Sequence, residues 1–260
     1  KVAEMLVPFM AGIYLLVAFY VVISNIALVP QMLADIISSA FGMDAAIGGG
    51  IGAAMMQGIK RGLFSNEAGM GSAPNVAATA DVSHPVKQGL IQTLGVFSDT
   101  LVICTCTAFI ILFSGVPLGG EANGVQLTQM ALDNEIGSGG STYVAIAILF
   151  FAFSSIIGNY YYGEANLRYI THNKIVMTIF RLMTGAMVMF GALASLDLAW
   201  SLADVCMGLM TICNLIAIVL LGKYAFRLLD DYLEQKRQGI KNPTFTKDKM
   251  KDIEQDIECW

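Results

Sequence analysis

The stretch Gly62–Pro74, GLFSNEAGMGSAP, sits in a long apolar region but sets Ser65, Asn66 and Glu67 among three glycines and closes on proline. A helix crossing hydrocarbon satisfies its own backbone and has no use for such a run. The surrounding region, 45–82, is also the wrong length. As one helix it would extend ~57 Å, well beyond the ~30 Å of a single crossing. Two crossings do not fit either. After Pro74 only about eight residues remain before Ser83-His84-Pro85, where proline opens the next helix.

The connecting segments decide how to count it. Apolar runs long enough to cross a bilayer occur at roughly 5–29, 88–115, 142–162, 174–195 and 198–222. Connections 30–44 and 116–141 hold no Lys or Arg but carry Asp35, Asp44, Glu121, Asp133 and Glu135. Connection 83–87 holds Lys87, and 163–173 holds Arg168 with Lys174 next. Counted as one crossing, 45–82 puts every basic connection on one side, and the positive-inside rule places the C-terminus in the cytoplasm. Counted as two, the alternation is lost. The region therefore reads as one span made of two half-helices, about Gly50–Phe64 and Met70–Ala80, with GLFSNEAGMGSAP as the break.

Irregular backbone at membrane depth is tolerated where it is buried in protein or lines a cavity, and a discontinuous helix is the sequence mark of a transporter binding site. Its carbonyls suit a cation or an ammonium group. The N-terminus of the second half-helix offers N–H groups to an anion. An amino-acid zwitterion needs both. The competing reading is a glycine kink packed on a neighbouring helix. That suits Gly48–Gly52 but leaves Ser65, Asn66 and Glu67 unexplained.

Composition agrees with a membrane protein. Of the 260 residues, 56% are hydrophobic and 13% charged, against about a quarter charged in soluble domains. Eight of the 15 Lys/Arg and eight of the 20 Asp/Glu follow Gly222. Residues 1–222 thus read as a transmembrane region of about six spans, and 223–260 as a cytoplasmic, partly helical tail. No basic stripe interleaved with aromatics appears, so nucleic acid is not an expected partner. Cys104, Cys106, Cys206 and Cys213 lie in apolar runs and are expected as small buried hydrophobes; Cys259 lies in the tail. The chain opens on Lys1, and the expectation is a fragment lacking its N-terminal part.

Enzyme chemistry finds no support. His84 and His172 fall at helix ends outside any H-E-x-x-H pattern, and no G-x-S-x-G occurs. Asp99, in VFSDTLVICTCTAF, is an ionisable residue at mid-span and hence a functional candidate. Its expected partner is a sodium ion, a substrate ammonium, or Lys60/Arg61; a structural hydrogen bond is the alternative. Lys60 and Arg61, one turn before the break, suit an outer vestibule or gate, or a packing ion pair. Ser154 and Ser155, in FFAFSSIIGNYYYGE, offer adjacent hydroxyls to a hard cation, or bond back to the preceding turn. Asn159 follows Ser155 by one turn on the same face. Glu67 is expected to cap the second half-helix, with a direct ion role as the alternative, Arg181 to snorkel, and 124–136 to form a short outer amphipathic helix. A channel with a mid-membrane Asp fits these residues as well as a carrier does.

The motif RGLFSNEAGMGSAP, followed by HPVKQGLIQTLGVFSDTLVICTCTAFIIL, resembles the alanine or glycine:cation symporter family. These are sodium-coupled amino-acid carriers of the amino acid–polyamine–organocation superfamily. The similarity extends from VPFM near the start to Asn242–Phe245 in the tail. It implies an all-α, five-plus-five inverted-repeat fold, with this chain supplying the fifth helix onward. The first four helices, including the other broken one, would lie outside it as the missing partner of the site. The resemblance implies substrate binding by Phe64, Ser65, Asn66, Gly69, Ser155 and Asn159, and sodium binding by Asp99, Ser154 and Ser155. It also implies a multi-pass protein of a bacterial or archaeal cell (inner) membrane. Some members of the family have Trp where this chain has Asn159, so the pocket is expected to admit a larger polar substrate such as glutamine. Sodium versus proton coupling does not follow from these residues.

Overall fold

A computed structural model describes residues 2–40, 61–117 and 124–252. The order is α1 (Val2–Ser24), a 3-10 turn (Ile26–Leu28), α2 (Val29–Ala40), helical residues 61–66, and α3 (Ala73–Ala77). Next come α4 (Pro85–Ser98), a π-helical segment (Asp99–Cys104), α5 (Thr105–Phe113) and α6 (Val125–Ile136). The last are α7 (Gly140–Ile170), α8 (Lys174–Leu193), α9 (Leu196–Arg237) and a 3-10 turn at Lys247–Met250. No strand occurs among the described residues.

Five helical stretches are long and apolar enough to cross a membrane: Met5–Ser24, Pro85–Phe113, Gly140–Ile170, Lys174–Leu193 and Leu196–Arg237. They fall on the five runs read from hydropathy, and the protein is an all-α, polytopic membrane protein. The helix starts are written in the sequence. Pro85 opens α4, where its missing N–H costs nothing. Asn173 Oδ1 accepts the Ile175 N–H at 2.8 Å and Ser195 Oγ accepts that of Leu198 at 3.4 Å, capping α8 and α9. The α9 helix does not stop at Gly222. It continues to Arg237, ~63 Å in all, so the expected tail begins, over 223–237, as an extension of the last span.

The chain divides into two compact units, 1–66 with 97–163, and 67–96 with 164–260. In the first, Ala18 and Val21 of α1 pack with Phe109, Ile110 and Phe113 of α5, Ala131 and Leu132 of α6, and Val144 of α7. Phe109 and Phe113 stack at 5.2 Å. Polar ties flank this cluster. The Tyr14 and Thr107 hydroxyls hydrogen-bond, and Asn25 Nδ2 donates to Glu135 Oε2 at 2.9 Å. Asp133 accepts from the Ser141 N–H at 2.7 Å and from its hydroxyl, closing the α6–α7 turn. The helix expected at 124–136 is present as α6.

In the second unit the tail folds back onto the connection before α4. The Phe245 N–H donates to the Ser83 carbonyl at 2.9 Å, and Ser83 Oγ to the Pro243 carbonyl at 3.0 Å. His84 is wholly buried between the rings of Tyr232 and Phe245, at 5.1 and 5.7 Å. Its Nδ1 accepts the Val86 N–H, so Nε2 carries the proton and donates to Asp231 at 3.1 Å. Gln235 holds Thr244 by both its N–H and its carbonyl, at 3.0 and 2.9 Å. These bonds give the Asn242–Phe245 stretch a structural job that its sequence does not announce.

One expectation gains a partner and one needs correcting. Arg181 has a carboxylate beside it: its Nη2 bonds Glu164 Oε1 at 3.0 Å, an oxygen shared with Arg168 at 2.5 Å. The shared carboxylate offsets part of the cost of an arginine in an apolar span while its side chain stays 53% exposed. Among the cysteines only Cys106 is buried; Cys104 is half-buried, Cys206 and Cys213 are exposed, and Cys259 lies outside the described residues.

Candidate functional site

The break begins where the helix over 61–66 ends at Asn66. Glu67 takes a left-handed conformation, φ +53°, and Gly69 and Gly71 follow at +79° and +99°. Glycine meets such angles without the clash a Cβ brings. The Met70 N–H closes this turn on the Glu67 carbonyl at 3.1 Å. Helix resumes only at α3, with Pro74 in its first turn. The second half-helix is therefore five residues, Ala73–Ala77, rather than Met70–Ala80, because the two positive-φ glycines hold 69–71 out of helix. The first half-helix runs two residues beyond Phe64, so Ser65 and Asn66 project from a helical turn rather than a loop. Its expected beginning, 50–60, with Lys60, and the Gly48–Gly52 run lie outside the described residues.

That last helical turn is fastened to the next span. Ser65 Oγ donates to Asp99 Oδ2 at 2.7 Å and lies 3.2 Å from Cys104 Sγ. Asn66 Nδ2 donates to Thr100 Oγ1 at 2.9 Å. Asp99 and Thr100 open the π-helical segment, a wider turn of a kind that recurs at functional sites. The hydrogen bond observed at Asp99 comes from the Ser65 hydroxyl, a partner the sequence reading did not name. The Arg61 guanidinium lies over the Phe64 ring, 5.9 Å from its centroid.

Asp99 also lines a cavity of about 390 Å³ with Tyr14, Thr107, Thr128, Tyr143 and Phe151. The volume is in the range of small-molecule sites, and the lining is mostly apolar with a few polar groups. The Asp99 carboxylate and the hydroxyls are hard oxygen donors of the kind that suits a hard cation. Ser154 Oγ donates back to the Phe151 carbonyl at 2.9 Å, while Ser155 and Asn159 are exposed. The cavity lining on α7 ends at Phe151, about one turn short of Ser155 and two short of Asn159. Thus Ser65, Asn66 and Asp99 come together, and Ser154, Ser155 and Asn159 stand apart on α7.

Several contacts at the break escaped sequence reading. Asn214 Nδ2 donates to the Gly69 carbonyl at 2.9 Å, taking up an acceptor that the break leaves outside any helix. An Asn within TICNLIAIVL was the available signal. A Cβ on Gly71 would stand 3.0 Å from Asn214 Cβ, so glycine is required there by space as well as by φ. The Glu67 carboxylate reaches the start of α3 but does not cap it. It accepts the Ser72 hydroxyl rather than a backbone N–H.

A multi-span helical protein whose broken segment meets an intramembrane carboxylate is built as membrane carriers are. The model of the sodium:alanine symporter family matches residues 1–247, and the chain belongs to that family. It is 54% identical over its whole length to the probable sodium/glutamine symporter GlnT of Bacillus subtilis, covering 54% of that protein. It is 51% identical over 94% of its length to the amino-acid carrier protein AlsT of the same organism, covering 52% of it. To the sodium/alanine symporter AgcS of Methanococcus maripaludis it is 38% identical over 93% of its length, covering 54% of it. The chain spans about half the length of these curated relatives.

Proposed function

We propose that this chain is the part of a sodium-coupled symporter that carries its sixth, broken helix, and that the whole protein takes up alanine or glycine by alternating access. The observation that best supports this is the pair of hydrogen bonds tying Ser65 and Asn66 to Asp99 and Thr100. In the proposal Asp99, Ser154 and Ser155 coordinate sodium, and Phe64, Ser65, Asn66, Gly69, Ser155 and Asn159 face the amino acid. When a cation occupies Asp99, the Ser65 hydroxyl turns a lone pair to the ion and frees its proton for the substrate carboxylate. Ion and substrate then favour each other's binding, and the ion gradient drives uptake. The remainder of a five-plus-five repeat supplies the other side of the site. In the proposal the protein sits in the cell (inner) membrane with its tail, 223–260, on the cytoplasmic side.

Glutamine is the second reading. It is favoured by Asn159 and by the name of the Bacillus subtilis relative at 54% identity. Uptake of labelled alanine and labelled glutamine by the full-length protein in proteoliposomes, with and without an inward sodium gradient, separates the two. Sodium-driven alanine uptake that unlabelled glutamine leaves unchanged supports the first. Sodium-driven glutamine uptake supports the second. Uptake indifferent to sodium overturns both.

A further inference from the structure

Away from the break, the helix ends of α7 and α8 enclose a cavity of about 370 Å³ lined by Arg168, Thr171, His172, Lys174, Thr178 and Arg181. The transport proposal has no use for it. We propose that it binds the phosphate of an anionic membrane lipid.

Charge is the first argument. Arg168, Lys174 and Arg181 bring three cations to one cavity, and Glu164 behind them supplies one negative charge. The Glu164 side chain is only 11% exposed, and its Oε1 accepts from Arg168 Nε and Nη2 and from Arg181 Nη2 at 3.0, 2.5 and 3.0 Å. Both guanidiniums are thereby held in place before any ligand arrives, yet remain more than half exposed toward solvent. Guanidinium forks and an ammonium group are the donors that recognise a phosphate. The excess of two positive charges matches a phosphodiester better than a neutral ligand.

Position is the second argument. The spans Gly140–Ile170 and Lys174–Leu193 meet at this turn, so the cavity lies where hydrocarbon gives way to headgroups. Arg181, seven residues into α8, is ~10 Å below the helix start, within the depth an arginine side chain bridges. Tyr169, Ile170 and Ile175 flank the turn almost wholly exposed, at 86%, 78% and 69%. They offer an apolar face to acyl chains beside the cationic cavity. A soluble phosphate would use the cations and leave that face idle, so the lipid is the source favoured here. Basic pockets between helices at a membrane surface hold anionic headgroups elsewhere by the same physics.

The test uses the full-length protein in neutral detergent, titrated with short-chain phosphatidylglycerol, phosphatidylcholine or inorganic phosphate, with bound lipid counted by native mass spectrometry. Lys174→Gln is the variant of choice, because it leaves the Glu164–Arg168–Arg181 cluster intact. The expected result is saturable phosphatidylglycerol binding that Lys174→Gln weakens about fivefold and Lys174→Glu weakens further, with circular dichroism unchanged. Equal occupancy by phosphatidylcholine overturns the proposal, as does phosphatidylglycerol binding insensitive to both substitutions. Displacement by equimolar inorganic phosphate overturns the lipid as source. None of these outcomes depends on what the protein transports.

Discussion

Ser65 Oγ and Asp99 Oδ2 lie 2.7 Å apart, joining the last turn before the break to the first residue of the π-helical segment. One residue ends a helix at its break and the other begins a widened, under-wound turn. Their hydrogen bond lets each irregularity satisfy the other.

Asp99→Asn keeps the volume and removes the charge. If Asp99 binds the ion as proposed, losing a charged contact of about 1.5–3 kcal/mol is expected to weaken sodium affinity at least tenfold in uptake by the full-length protein. Ser65→Ala is expected to weaken coupling less, because the carboxylate remains. Unchanged sodium dependence in Asp99→Asn would remove Asp99 from the ion site.

At Gly71 the backbone sits at φ +99° and Asn214 Cβ stands 3.0 Å from where a side chain would begin. Gly71→Ala is expected to cost about 1–3 kcal/mol, read as a lower unfolding temperature in detergent. Asn214→Leu is expected to cost a similar amount, by leaving the Gly69 carbonyl unpaired. Because the two residues touch, the double variant is expected to lose less than the sum.

Gly140 has no room at all. A Cβ there would lie 2.5 Å from the Leu132 backbone carbon and 2.6 Å from the Asp133 nitrogen. Backbone cannot step aside as a flexible side chain can, so Gly140→Ala is expected to spoil the α6–α7 turn. Limited proteolysis between α6 and α7, compared with wild type, would show it; equal resistance would contradict the packing described.

The same turn predicts a pH response. The Ser141 hydroxyl and N–H hold the Asp133 carboxyl below its ordinary value of 3.8. A depressed folded-state pKa means the contribution is fully present above that value and is lost as pH falls through the lowered one. The protection of the Ser141 amide, taken as its exchange rate relative to the intrinsic rate at each pH, is expected to hold from pH 6 to about pH 4 and to fall as pH drops further, whereas Asp133→Asn should show low protection throughout that range.

How much of this was legible follows the physics of each signal. Long apolar runs and loop charges gave five spans, because hydrocarbon tolerates little else. The break announced itself through Ser65, Asn66 and the glycines. The length of α3 did not, since the φ values of Gly69 and Gly71 were invisible in a region that composition alone makes helical. The π-helical winding at Asp99 left no trace either; it depends on which hydrogen bonds Thr100 and Cys104 find across space. Asn214 and Glu164 were polar residues in apolar surroundings, readable as needing partners but not as meeting Gly69 and Arg181. Ser154 and Ser155 look alike in sequence, yet one hydroxyl is turned back on its own helix and the other faces outward.

The fold-back of the tail carries a practical consequence. Phe245 is stitched to Ser83, and Ser83 lies six residues after α3 ends. A dye attached at Lys247, beside that stitch and outside the bilayer-spanning helices, becomes an optical gauge of the segment that follows the break. Any bulky fusion grafted between Arg237 and Phe245 would, by the same connection, act as a wedge under the helix that leads to Asp99.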